Sequence, residues 1–118
     1  MTVAETYDGT IERTLFTREE ISAAIERVAA EIARDFRGKP LLLLGVLKGA
    51  LYVTVDLARA LARQPDGPSE IRVDYLCVSS YGNATRSSGE VRMLKDTSGP
   101  VVGRNVVIVE DIVDNGLT

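Results

Sequence analysis

Apolar and polar positions recur along this chain with two different periods, and the points where one gives way to the other divide it into strands and helices. Thr17-x-x-Glu20 is a capping-box pattern, and Ile21, Ile25, Val28, Ile32 and Phe36 then recur at helical spacing until Gly38 and Pro40 interrupt them. This predicts an amphipathic helix of about five turns. Its polar positions, Glu19, Glu26, Arg27, Glu31 and Arg34, form a mixed-sign stripe that reads as a solvated face paired along the helix. Leu41 to Leu47 is an apolar run too short and too unpatterned for a surface helix, hence a buried strand ended by Lys48-Gly49. Helical texture returns from Ala50 to Arg63, with Leu51, Val55, Ala58 and Leu61/Ala62 on one side, before Pro65-Asp66-Gly67-Pro68 makes a turn.

Ile71 to Ser79 reads as a second strand and Ser80 to Gly89 as a polar loop whose one large side chain is Tyr81. Glu90 to Leu94 reads as a strand, Asp96 to Gly103 as a connecting turn, and Asn105 to Val109 as the last strand. Met1 to Thr14 is polar and weakly patterned, a flexible arm or an edge strand. Strands alternating with helices give an α/β fold whose sheet is parallel at least in part.

Composition narrows what this fold can be used for. With 118 residues, 45% of them hydrophobic, the chain can bury one modest core, so a single domain over residues 1–118 is expected. A net charge of −3 argues against general nucleic-acid binding, which usually needs a basic excess. There is no histidine, which removes Ser-His-Asp and Cys-His catalysis and the common His-ligated zinc sites. Proton transfer falls to carboxylates, Lys or Tyr. The sole cysteine, Cys77, lies in an apolar stretch and reads as a packed core thiol. With no internal disulfide possible, no charged-then-apolar leader and no long apolar span, the plain reading is a cytoplasmic protein with no membrane partner.

The chemistry concentrates at the end of the chain. Val106 to Val109 is a β-branched apolar run that delivers Glu110 and Asp111, then Ile112 and Val113, then Asp114-Asn115-Gly116-Leu117-Thr118, where the strand must stop. Ligands of open parallel sheets bind beyond the carboxyl ends of the strands, and a short Asn/Gly/Thr loop can aim several backbone N–H groups at one anion. Carboxylates beside a phosphate-sized nest point to a phosphorylated sugar: the acids accept hydrogen bonds from its hydroxyls or hold a divalent cation. Adjacent residues of a regular strand face opposite ways, so Glu110 and Asp111 reach one ligand only if the strand is already turning; otherwise one of them is a solvent acid. Asp114 is either a proton acceptor or a carboxylate capping its own turn. Lys48 and the unhindered Gly49 end another buried strand and can meet a pyrophosphate, although a lysine at a strand end is also an ordinary surface feature. Gly45-x-x-x-Gly49 is not a Walker A loop, because no Gly-Lys-Ser/Thr follows.

Glu110-Asp111-Ile112-Val113-Asp114-Asn115-Gly116-Leu117-Thr118 closely resembles the 5-phosphoribosyl-1-pyrophosphate (PRPP) motif of type I phosphoribosyltransferases. Leu43-Leu44-Gly45-Val46-Leu47-Lys48-Gly49-Ala50, Val78-Ser79-Ser80-Tyr81-Gly82 and Val91-Arg92-Met93-Leu94-Lys95-Asp96 look like the matching segments of the bacterial hypoxanthine(-guanine) phosphoribosyltransferases, in the same order. The resemblance runs from roughly Ile11 to Thr118. It implies a mainly parallel sheet flanked by helices, and a chain truncated at its C-terminus inside its own active-site motif, one incomplete domain over residues 1–118.

The implied activity is Mg²⁺-dependent transfer of a 5-phosphoribosyl group from PRPP to hypoxanthine, and to guanine, giving IMP or GMP and pyrophosphate in purine salvage. Asp114 matches the acid near purine N7; Glu110 and Asp111 match the pair facing the ribose hydroxyls, directly or through Mg²⁺. Asn115, Gly116, Leu117 and Thr118 match the 5′-phosphate loop, with Asn115 in place of the usual Thr or Ser. Lys48 and Gly49 match the pyrophosphate loop, for which the resemblance implies a cis peptide between Leu47 and Lys48. Ser80 and Tyr81 match the flexible loop that closes over PRPP. The family's purine-gripping residues would lie after Thr118, so residues 1–118 alone are expected to be inactive, and the intact protein to be a homo-oligomer. A PRPP-sensing regulator of the same fold is the alternative; the retained Asp114 and the acidic balance speak against it.

Overall fold

The computed structural model describes residues 12–81, 90–99 and 101–112. The first element is helix α1, Arg18–Asp35. Thr17 caps it from an extended conformation: its hydroxyl accepts from the Glu20 amide at 3.1 Å, and the Glu20 carboxylate accepts from the Thr17 amide at 3.4 Å. Such a cap contributes about 1 kcal/mol. Gly38, at φ 73°, turns the chain after the helix into strand β1, Pro40–Leu47. Helix α2, Leu51–Ala62, returns it to strand β2, Glu70–Tyr81, and strands β3, Glu90–Lys95, and β4, Val106–Val109, complete the order.

The sheet runs β3-β2-β1-β4. Strand β1 pairs in parallel with both β2 and β4, whereas β3 is antiparallel to β2. β1 is thus an interior strand, and Leu41 to Val46 are all buried, as a run with no polar break requires. In the described sheet β4 is an edge strand: it pairs on one side through four positions, and its Ile108 is 65% exposed.

Register fixes the faces. Leu41 and Leu43 of β1, Ile71 of β2 and Val107 and Val109 of β4 share the face on which both helices pack, in a core with Ala29, Ala33, Leu57, Ala60 and Leu61. Both helices therefore lie on one face. On the other, the connection after β3 reaches back, with the backbone amide of Ser98 donating to Asp74 at 2.7 Å.

Four expectations change. In α1 the fully buried positions are Ala29 and Ala33; Ile25, Ile32 and Phe36 are partly buried, while Ile21 and Val28 are exposed. Small side chains win the innermost places because α1 packs against α2 as well as the sheet. Helix α2 is rotated by about one residue from the expected face: Ala50, Thr54, Leu57 and Leu61 are buried, whereas Ala62 is exposed. Thr54 tolerates full burial because its hydroxyl donates to the Ala50 carbonyl at 2.6 Å. Glu26 pairs with Arg63, the C-cap of α2, rather than along its own helix. Finally, Ser80 and Tyr81 belong to β2, paired with Val91 and Glu90 of β3, and are not loop residues. Cross-strand pairing extends the strand past the point where a Ser-rich composition suggests a break. Cys77 is a free, half-buried thiol.

Candidate active site

Because β1 and β4 are parallel neighbours, their carboxyl ends lie side by side. Gly45 is opposite Val109, so the residues that leave each strand, Lys48-Gly49 from β1 and Glu110-Asp111 from β4, emerge at the same end of the sheet. The contact between them is close. A methyl group on Gly49 would overlap the carboxyl carbon and one oxygen of Asp111 and would lie 3.0 Å from its Cβ. Only hydrogen at this position lets the carboxylate rest on the loop. The other carboxylate oxygen of Asp111 accepts from the Ile112 amide at 2.9 Å, a local turn that begins right after the strand.

The two adjacent acids have different surroundings. Asp111 is exposed over Gly49, while half-buried Glu110 borders an apolar hollow of about 390 Å³ between α1 and β4, lined among others by Ile21, Val28, Val53 and Val107.

The Lys48-Gly49 loop is held from several directions. The Ala50 amide donates to Val46 O at 3.2 Å and the Leu51 amide to Lys48 O at 3.1 Å. The Leu47–Lys48 peptide is cis, as expected. The Lys48 side chain is exposed and makes no ion pair among the described residues. An ammonium with no ion pair among the described residues, a hydrogen-only backbone position and a carboxylate thus lie at the same end of the sheet. That combination can bind a polyphosphate and a polyhydroxyl group together.

Among the described residues, no group of three or more His, Cys, Asp or Glu side chains could hold a metal ion unaided. Mg²⁺ rarely uses such a cage; it takes one or two carboxylates and draws its remaining ligands from water and substrate phosphates. Asp111 with Glu110 beside it fits that pattern.

Lys48, Gly49, Glu110 and Asp111 thus meet at one end of the sheet, while Ser80 and Tyr81 end β2. Asp114, Asn115, Gly116, Leu117 and Thr118, and the segment 82–89, lie outside the described residues. Sequence reasoning passed over Gly45, Thr54 and Tyr75. Gly45 has the one legible signal, since a glycine inside an apolar strand marks a close approach. A side chain there would meet the Thr54 hydroxyl at 2.5 Å and the Tyr75 ring at 2.8 Å.

Comparison with known proteins gives the family. Residues 13–118 match the family model described as phosphoribosyl transferase domain. The chain is 46% identical to a hypoxanthine-guanine phosphoribosyltransferase of Mycobacterium tuberculosis, over 98% of this chain and 57% of that protein. It is 41% identical to the protein of the same name from Bacillus subtilis, over 92% of this chain and 57% of the relative. Among solved structures it resembles a hypoxanthine phosphoribosyltransferase from Staphylococcus aureus, with TM-score 0.78 and 32% identity over 92% of this chain and 55% of that one. It also resembles the hypoxanthine phosphoribosyl transferase of Trypanosoma cruzi, with TM-score 0.77 and 47% identity, over 90% and 56% of the two chains. The chain thus spans little more than half the length of these relatives.

Proposed function

The chain belongs to the phosphoribosyl transferase domain family, and from that premise we propose that it carries the PRPP-binding part of a cytoplasmic purine-salvage enzyme, which transfers 5-phosphoribosyl from PRPP to N9 of hypoxanthine and of guanine. The products are IMP or GMP and pyrophosphate. The observation that carries this reading is the seating of Asp111 on Gly49, with Lys48 next to it, at the carboxyl ends of two adjacent parallel strands. PRPP presents a ribose between a pyrophosphate and a 5′-phosphate, and this cleft offers a carboxylate for the ribose next to a cation for the pyrophosphate.

In this mechanism Lys48 and the backbone at Gly49 bind the pyrophosphate and stabilise the negative charge it gains on leaving. Asp111 accepts hydrogen bonds from the ribose hydroxyls and orients the anomeric carbon towards the purine. Asp111 and Glu110 would also hold Mg²⁺, which when bound supplies charge to offset that of the pyrophosphate. The loop Asn115 to Thr118 takes the 5′-phosphate with backbone N–H groups, the Asn115 amide and the Thr118 hydroxyl. Asp114 takes or shares the purine proton as N9 attacks. The segment that follows Tyr81 closes over PRPP and keeps water from the reacting carbon. No protein nucleophile is required.

The test is calorimetric titration of the chain with PRPP in the presence of Mg²⁺, set beside ribose 5-phosphate and inorganic pyrophosphate. Binding of PRPP more tightly than either part supports a site that spans both. Equal or absent binding of all three refutes it.

A further inference from the structure

The pyrophosphate loop leads into α2, and the start of that helix is built in an unusual way. Its N-cap residue is Ala50, which makes no side-chain capping hydrogen bond, and no acidic residue lies in the first turn. Alanine is among the poorest residues at this position, so the helix start lacks the fastening that Thr17 gives α1. It is fastened from outside instead. Gly45 of β1 leaves a slot on the helix-covered face, and two side chains fill it: Thr54 from α2 and Tyr75 from the strand paired with β1. Each carries a hydroxyl, and each hydroxyl donates to a carbonyl of the loop-helix junction. Thr54 Oγ1 donates to Ala50 O at 2.6 Å and Tyr75 Oη to Leu51 O at 3.2 Å.

These two bonds differ in what they join. The Thr54 bond stays within one helical turn, whereas the Tyr75 bond ties the junction to the sheet. Resting on the proposed function, we propose that Tyr75 is a positioning residue for the pyrophosphate-binding loop: its ring in the Gly45 slot and its hydroxyl on Leu51 O hold Lys48-Gly49 in place beneath Asp111. Tyr75 touches no substrate in this account. It acts by fixing Leu51, two residues after Gly49, so that the Lys48 cation and the Gly49 backbone are already placed when the pyrophosphate arrives.

The test compares Tyr75→Phe, which keeps the ring and removes the hydroxyl, with Tyr75→Leu, which removes both. Amide hydrogen exchange is followed in the full chain, and Mg²⁺-pyrophosphate affinity is measured by calorimetry. Tyr75→Phe should speed exchange at the Ala50, Leu51 and Thr54 amides by about two- to tenfold, the size of one hydrogen bond, and leave α1 amides unchanged. Pyrophosphate affinity should fall by a similar factor. A role in packing alone predicts that only Tyr75→Leu has an effect, so a Tyr75→Phe variant with unchanged exchange overturns the proposal. Should the unaltered chain bind no pyrophosphate, the functional reading fails, and local exchange alone decides whether Tyr75 fixes the loop.

Discussion

Replacing Gly49 by alanine adds one methyl group at the point where the two halves of the cleft touch. Gly38 and Gly103 are the described glycines with positive φ, so the backbone at Gly49 accepts an L-residue without strain. The whole cost therefore falls on Asp111, whose carboxyl group would be overlapped by the new Cβ. Asp111 is exposed and can rotate away. Exposed substitutions typically change stability by no more than about 0.5 kcal/mol, and the reduced freedom of the unfolded chain on Gly→Ala offsets part of that. The melting temperature should move by only about 2 °C.

Affinity should respond quite differently. Turning the carboxylate aside removes a charge-assisted hydrogen bond to the ligand, worth about 1.5–3 kcal/mol, or roughly 10- to 150-fold in Kd for PRPP. Gly45→Ala is the contrasting case, in which stability falls most. Its methyl would strike the buried Thr54 hydroxyl at 2.5 Å and the half-buried Tyr75 ring at 2.8 Å, and overpacking of this kind costs about 1–3 kcal/mol. At roughly 4 °C per kcal/mol that lowers the melting temperature by about 4–12 °C. Thermal melts and PRPP titrations of the two variants separate the cases. A Gly49→Ala variant that binds PRPP like the unaltered chain would refute the argument that Asp111 is held over the loop to meet ligand.

Three further outcomes are expected. Asp114→Asn, made in a full-length homologous enzyme, should depress turnover while PRPP binding stays largely in place, because the amide keeps the shape and cannot accept the proton; unchanged steady-state kinetics would return Asp114 to a turn cap. Residues 1–118 incubated with PRPP, Mg²⁺ and hypoxanthine should form no measurable IMP, followed by chromatography of the nucleotide, and clear product would show that the purine needs no groups beyond these. Thr17→Ala should cost about 1 kcal/mol, a drop of roughly 4 °C in melting temperature, with PRPP affinity unchanged, since the cap it removes lies on α1 away from the cleft; a matching loss of affinity would mean that α1 takes part in the site.

Periodicity and punctuation made the element order legible. The capping box at Thr17 and Glu20, the unbroken apolar run of β1 and the turn after Arg63 all act locally, so a sequence window contains their cause. Burial within the helices was less legible. Ala29 and Ala33 are innermost because two helices and a sheet converge on them, and Thr54 is buried because a carbonyl one turn earlier accepts its hydroxyl; neither cause is visible in hydrophobicity. The same holds for Ser80 and Tyr81, whose strand conformation depends on β3. Within the site, the residue types at Lys48-Gly49 and Glu110-Asp111 named the groups. That Asp111 sits on Gly49 required the register of β1 against β4, which no local pattern records.

The short pairing of β4 has a consequence for how the site persists over time. Lys48-Gly49 follows an interior strand between two partners, whereas Asp111 follows a four-residue strand that, among the described residues, is held on one side, anchored at its start by the Leu42 amide on Asn105 O at 2.9 Å and by the Asn105 amide group on Pro40 O at 3.1 Å. Edge elements with few partners open at a lower free energy than the domain as a whole. The cleft can therefore dissolve and re-form while β1, β2 and both helices stay folded, and a ligand that bridges Asp111 and Lys48 acts as a clasp on β4, slowing exchange along that strand before it raises the melting point of the rest.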